Sequence, residues 1–410
     1  MRILLVVQPD RFDFYNYLAA MPGIEWHLLW YEKPGQMTLN PEELPIQFKQ
    51  FHYWTEYATP QSILKKIRPD RIVFFEIIDL RQIALLVTSK HKKCTTFYLE
   101  HGAAGDKETA ISRWDDVLHL KKKRSYFLNR LSKQSIEIIR AKYFYFAASS
   151  YLRNTHSLFT YLTLPFRMLG ALPNKVLSAY RFPERIPDYA IIFNKANFEE
   201  FELYTGIEES KALFTGIPFF DKYFTPLPQE ENYIVYIDTP LIEGHLLGWN
   251  EAHHEKVAKS LALFAKANQV KIFVKLHPRS EKSRWDSYGL ESELFKIIQF
   301  GEYTDLYLKA KLILGYSSSL ITGLICARKN IVILGWHPEP SIFGVDFSST
   351  GLCHASLDLQ DLETKYSCWI SKNLCIENSE NYDGFIRRFN NPFDGQATTR
   401  VLDAIQNLNA

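Results

Sequence analysis

Two short stretches concentrate side chains that bind oxyanions. KLHPRSE, Lys275–Glu281, sets His277, Pro278 and Arg279 behind a run of β-formers, and GYSSSL sets Gly315, Ser317, Ser318 and Ser319 ahead of an apolar helical run. An imidazole N–H donates to an oxyanion, and a proline beside it limits the backbone. Serines at a helix start combine hydroxyls with unpaired amides and the positive helix end, which suits a phosphate. A third stretch, EHGAAGD, carries Glu100, His101 and Asp106 in a glycine-rich loop that a ligand can approach closely. Groups of this kind can take a proton from a hydroxyl as a new bond forms. Glu76, closing RIVFFE, is a second candidate base. Asp238 and Glu243 in IDTPLIEG are candidates for donor contact, as is Glu339 beside the second His-Pro pair, His337-Pro338, where it can accept from a ribose hydroxyl. Each has an architectural alternative: a turn histidine, a helix cap, a polar loop, a strand end.

These residues need rigid elements behind them, and the pattern supplies strands alternating with helices. Strands are expected at 2–7, 71–76, 95–99, 189–194 and 212–216, with helices around 14–21, 79–89 and 198–204. A second alternation starts at Tyr233: strands at 233–240, 271–278, 296–300, 312–315 and 331–334, helices near 249–267, 303–310 and 320–328. The fold class expected is α/β, two Rossmann-like doubly wound domains facing a cleft. The domains are read as 1–220 for the acceptor, containing a basic segment at 121–185, and 231–395 for a nucleotide sugar, with 396–410 as a C-terminal helix. Between them, IPFFDKYFTPLPQEE has three prolines and no period, as a linker does. Both phosphate-binding stretches fall at carboxyl ends of strands, where open α/β sheets bind ligands.

A chain of 410 residues exceeds what one core organises, and 46% hydrophobic with 23% charged residues is ordinary for a globular protein. No run reaches the roughly 18 apolar residues of a membrane span, and the opening apolar run is too short for a signal peptide. Five cysteines without a CxxC pair fit free thiols in the cytoplasm, and Cys353, His354, Cys368 and Cys375 lack the paired spacing of a zinc site. Net charge is +2, yet residues 121–185 hold 13 Lys or Arg against two Glu, interleaved with Phe, Tyr and Leu. That composition suits an anionic membrane surface, with a solvated helix face as the alternative. No nucleic-acid motif accompanies it, so nucleic acid is not an expected partner.

The His-Pro turn, the serine turn and the two Rossmann-like halves resemble the GT-B glycosyltransferases that include bacterial polysialyltransferases and the capsule and lipooligosaccharide transferases using CMP-activated sugars. The teichoic-acid CDP-glycerol glycerophosphotransferases are similar, with a His-Gly motif whose counterpart is His101-Gly102, and Asp394-Gly395 followed by Arg400 resembles the end of these enzymes. The resemblance implies that His277 and Ser317–Ser319 hold the donor phosphate while a first-half residue acts as base. It departs from the family in one respect: no acidic-acidic-Gly triplet precedes Gly216. The function implied is sugar transfer from a nucleotide-activated donor, best a CMP-linked acidic sugar, to a glycan or glycolipid acceptor. Such an enzyme needs no cofactor, and without a DxD pair it is expected to work without metal. Alternatives are a CDP-polyol phosphotransferase, a UDP-sugar 2-epimerase and a non-catalytic sugar-nucleotide binder.

Overall fold

The apolar run Arg2–Val6 forms the first strand, β1, and its four inward residues are fully buried. It is an interior strand of a parallel sheet, which is why its sequence runs apolar without alternation. The computed structural model describes residues 1–7, 12–30, 46–48, 50–77, 79–102, 107–108, 111, 139–148, 181, 183–339 and 345–408. The chain divides into two compact units, one of 1–219 with 396–410 and one of 220–395.

In the first unit, β1 is followed by α1 (Phe12–Leu18), β2 (Glu25–Trp30), β3 (Gln50–Tyr53), α2 (Pro60–Ile67), β4 (Arg71–Phe74), α3 (Leu80–His91), β5 (Thr95–Leu99), β6 (Tyr189–Ile192), α4 (Lys195–Thr205) and β7 (Ala212–Phe214). All seven strands are parallel in the order β3-β2-β1-β4-β5-β6-β7. The strand order reverses between β1 and β4, so ligands are expected beyond the carboxyl ends there. Local chemistry sets the helix starts: Thr59 and Ser62 form a capping box on α2 with Pro60 at its first position, and Asp79 with Gln82 does the same for α3. Residues 396–410, expected as a separate helix, group with this unit. There Arg71 donates to the Ile405 carbonyl and Arg400 Nε to the Thr215 carbonyl at 2.8 Å.

The second unit repeats the plan: β8 (Glu231–Ile237), α5 (Glu251–Asn268), β9 (Lys271–Lys275), α6 (Lys282–Ser287), β10 (Phe295–Ile298), α7 (Thr304–Lys309), β11 (Ala310–Gly315), α8 (Ser319–Cys326), β12 (Ile331–Leu334), β13 (His354–Ser356), then α9 (Gln360–Ser371), α10 (Leu374–Glu377) and α11 (Ser379–Phe389). Helix α12 (Ala397–Asn407) belongs to the first unit. The sheet runs β10-β9-β8-β11-β12-β13, all parallel, with its reversal between β8 and β11. Trp285, Tyr236, Tyr316 and Trp249 pack in its core beneath those strand ends. Gly315 closes β11, and a Cβ there would meet Ile321 at 3.1 Å, so the glycine lets α8 lie close against the sheet.

Candidate active site

The His277 turn follows β9, beside the reversal point. Its backbone is tied down from three sides. Ser280 Oγ donates to Asp238 Oδ2 at 2.6 Å, the Glu281 amide donates to Glu243 at 2.9 Å, and Gln299 Nε2 donates to the carbonyls of His277 (3.2 Å) and Ser280 (2.8 Å). Arg284 reinforces this from α6, reaching Glu243, Glu251 and Glu281 at 2.5, 3.0 and 3.1 Å. Asp238 and Glu243 thus act on the turn. Burial raises Glu243, but the Glu281 amide and Arg284 override it and hold its carboxyl below the usual range. Asp238 is buried among the core residues, and that burial pushes it up to about 7 against the opposing Ser280 hydrogen bond.

The Arg279 amide donates to His277 Nδ1 at 3.1 Å. A ring nitrogen that accepts carries no hydrogen, so the hydrogen of the neutral ring sits on Nε2. Burial, with Lys275 and Arg279 nearby, lowers His277 to about 4, which keeps it neutral at physiological pH. It therefore presents one N–H donor and no charge. Lys275, inside the same stretch but not singled out from the sequence, is half-buried, and burial lowers its pKa while Asp238 opposes this.

The three serines have three different roles. Ser318 is the N-cap of α8 and accepts from the Leu320 amide at 3.3 Å, Ser317 Oγ donates to the Val345 carbonyl at 3.0 Å, and Ser319 is exposed in the first turn. Ser317 also lines a cavity of about 220 Å³ beyond the carboxyl ends of β11, β12 and β13, with Tyr316, His337, Asp346, Ser348 and Ser356. Sequence reasoning placed Glu339 at the donor but gave His337 no role. In the structure His337 lines the cavity, while Glu339 is exposed and lies against Gly248, whose φ of +72° and missing side chain admit it. Trp249 Nε1 donates to His337 Nδ1 at 2.9 Å, so His337, like His277, carries its hydrogen on Nε2. Burial, then His253, lowers it to about 4.

In the first unit, neighbouring β4 and β5 bring together two residues that lie 25 positions apart in the sequence. His101 Nε2 stands 3.5 Å from Glu76 Oε1, and the ring stacks on Phe75 with 5° between planes. Its buried Nδ1 has no partner among the described residues. Glu100 is used differently. It is buried and accepts from the amides of His101 (2.9 Å) and Gly102 (3.0 Å) and from the Tyr98 hydroxyl (3.2 Å), which holds the loop in shape. Asp106 and most of the basic segment, including Lys121–Arg124, lie outside the described residues.

Residues 28–298 match the family model "Alpha-2,8-polysialyltransferase (POLYST)", well over half of the chain. The chain belongs to the alpha-2,8-polysialyltransferase family. It is a nucleotide-sugar-dependent glycosyltransferase. The match contains Glu76, His101 and the His277 turn but ends before the serine turn and His337. No curated protein matches by sequence. Among solved structures, the wall teichoic acid polymerase TagF is 14% identical over 98% of this chain and 88% of its own, with a TM-score of 0.51. The glycotransferase of kitacinnamycin is 9% identical over 99% and 98%, with a TM-score of 0.52. At such identities they show the fold alone, which is GT-B. Among the described residues no group of three His, Cys, Asp or Glu is placed to hold a metal ion, and no helix is long and apolar enough to cross a membrane.

Proposed function

We propose that this polysialyltransferase-family enzyme moves an acidic sugar from a CMP-activated donor to a glycan or glycolipid acceptor on the bacterial surface, without a metal. The second unit holds the donor. His277 and His337 offer neutral N–H donors, and Ser317 and the first-turn amides of α8 add uncharged dipoles, a set that stabilises charge developing on one leaving phosphate. The observation that carries this assignment is the tautomer of both His-Pro histidines, since each has an acceptor nitrogen occupied by a local donor and an N–H left over. Displacement occurs at the anomeric carbon: the acceptor oxygen bonds to that carbon as the bond to the phosphate oxygen breaks, and CMP leaves.

The first unit serves the acceptor. His101 takes the hydroxyl proton while Glu76, at 3.5 Å from Nε2, stabilises the imidazolium that forms. The enzyme works in the cytoplasm, with the basic segment 121–185 docking it on the anionic inner membrane face, where lipid-linked acceptors reside. The donor assignment is tested by thermal shift against CMP, CDP, UDP and GDP. CMP should stabilise the protein, in proportion to RT ln(1 + [L]/Kd), and His277→Ala should remove the effect. Stabilisation by UDP alone overturns it.

A further inference from the structure

We infer that a cavity of about 410 Å³ in the second unit, remote from the donor site, binds an amphiphilic carboxylate of the medium-chain fatty acid type. The cavity is lined by Tyr223, Phe224, Leu227, Arg328, Tyr382 and Phe393, among others, all within residues 220–395. Its position follows from α8. That helix starts at the serine turn, beyond the carboxyl end of β11, and ends at Cys326, ahead of the amino end of β12. Cys326 and Arg328 line the cavity, so it lies at the amino ends of these strands, the edge opposite His277 and the serine turn. The eight residues of α8, about 12 Å of helix, separate it from the serine turn.

Arg328 occupies a backbone position that an arginine does not favour. Its amide donates to the Ile325 carbonyl at 2.8 Å and the Lys329 amide to the Leu324 carbonyl at 2.9 Å, the two bonds of a Schellman motif. Arg328 is the left-handed residue of that motif, at φ +53°, where glycine is usual. A cation after a helix end complements the helix dipole, but Lys329 already stands there, buried and paired with Glu230 at 2.8 Å. The Arg328 side chain lines the cavity instead. Its guanidinium covers the Tyr382 ring, 3.6 Å from the ring centre, and gives one N–H to the Cys375 carbonyl at 3.2 Å. No carboxylate pairs with it among the described residues. Tyr382 and Cys326 beside it are both pushed up to about 12, chiefly by burial, so neither supplies a negative charge.

The rest of the lining is mostly apolar. Phe224 stands edge-on to Phe393 with ring centres 5.3 Å apart, and Gly395, at φ +72°, lets it lie close, since a Cβ there would meet the Phe224 ring at 3.1 Å. That wall is in place before a ligand arrives, which lowers the cost of binding. Phe224 and Leu227 remain 53% and 46% exposed and leave an apolar rim uncovered. The Tyr382 hydroxyl already donates to the Cys326 carbonyl at 2.6 Å. A sugar or nucleotide would therefore leave most of its polar groups unpaired here, and a cationic ligand would meet Arg328. An apolar chain ending in a carboxylate satisfies both parts, its methylenes on the rings and its charge on the remaining guanidinium donors. The volume lies toward the lower end of the roughly 300–1,000 Å³ of small-molecule sites, as a short ligand requires.

The test is calorimetric titration of the full chain with hexanoate, octanoate and decanoate, and with decan-1-ol as the uncharged counterpart, each below its aggregation concentration. Affinity should rise about fourfold per methylene along the series, and decanoate should bind roughly ten- to hundredfold more tightly than decan-1-ol. Arg328→Gly supplies the residue that the backbone position favours, so it should keep the fold, by far-ultraviolet spectrum and melting temperature, while losing the preference for decanoate. Leu227→Glu, at an exposed position, should weaken decanoate and spare decan-1-ol. Equal affinity of the wild type for decanoate and decan-1-ol overturns the inference, as does an Arg328→Gly protein that keeps the preference. Displacement of decanoate by CMP also overturns it, because the ligand would then sit in the donor site. So does vesicle binding without uptake of monomeric decanoate, which would make Phe224 and Leu227 a membrane contact.

Discussion

Replacing Asp238 by asparagine isolates the buried carboxyl that holds the His277 turn. Asparagine keeps an oxygen for the Ser280 hydroxyl and cannot ionise. In the native protein burial raises Asp238 from 3.8 to about 7. Over that window the folded state keeps a proton that the unfolded chain has released. The contribution is thus fully present below about pH 4 and is lost as pH rises through about 7. The whole rise corresponds to about 4 kcal/mol, of which about 2.5 kcal/mol falls between pH 5 and 7. A unit of this size shifts its melting temperature by about 2–4 °C per kcal/mol. Differential scanning calorimetry of wild type and Asp238→Asn at pH 5, 6 and 7 should therefore show the variant gaining about 5–10 °C on the wild type across the series. Parallel curves would refute the account, because they would mean that Asp238 ionises as an exposed carboxyl does and does not bind Ser280 in a dry site.

Other expectations follow from the same geometry. His277→Ala should lower turnover roughly 100- to 1000-fold, the cost of one donor to a developing oxyanion, with the far-ultraviolet spectrum unchanged. Glu76→Gln and His101→Ala should each abolish transfer while nucleotide affinity, measured by calorimetry, stays at the wild-type level. In α8, a Cβ at Gly323 would come within 2.7 Å of Phe220 and 2.9 Å of Tyr223, so Gly323→Ala should destabilise the protein by about 1–3 kcal/mol in denaturant unfolding. Changing Lys121, Lys122, Lys123 and Arg124 together to glutamine should reduce sedimentation with anionic vesicles, and added salt should do the same to the wild type.

The strands that are easy to read are those whose apolar run is bounded by turn residues. Thr95–Leu99 and Ile331–Leu334 form where the pattern puts them. β2 and β3 were not expected, because EWHLLW and QFHY carry histidines and a glutamate or glutamine that break both periods. Those histidines belong to a hydrogen-bonded network, Glu25–His27–His52–Tyr57, so the same residues hide the strands and build the network. α2 did carry a start signal, Thr59-Pro60, and two lysines in its last turn. The His277 turn and the serine turn were legible because each is contiguous in sequence. The Glu76–His101 pair was not, since only the pairing of β4 with β5 brings its halves together, and nothing local separates Glu100, which shapes its own loop, from a base. His337 was visible as a second His-Pro, but its part in the cavity depends on Trp249, which lies 88 residues earlier.

The most direct measurement is mass spectrometry of products after incubating the enzyme, in the presence of a chelator, with CMP-linked sialic acid and an α-2,8-linked sialic acid oligomer. The account predicts a ladder in which each step adds one sialic acid residue and no phosphorus, with one CMP released per step. CMP release without extension of the oligomer, or extension that appears only with a CDP-polyol and carries a phosphate in each added residue, would contradict it.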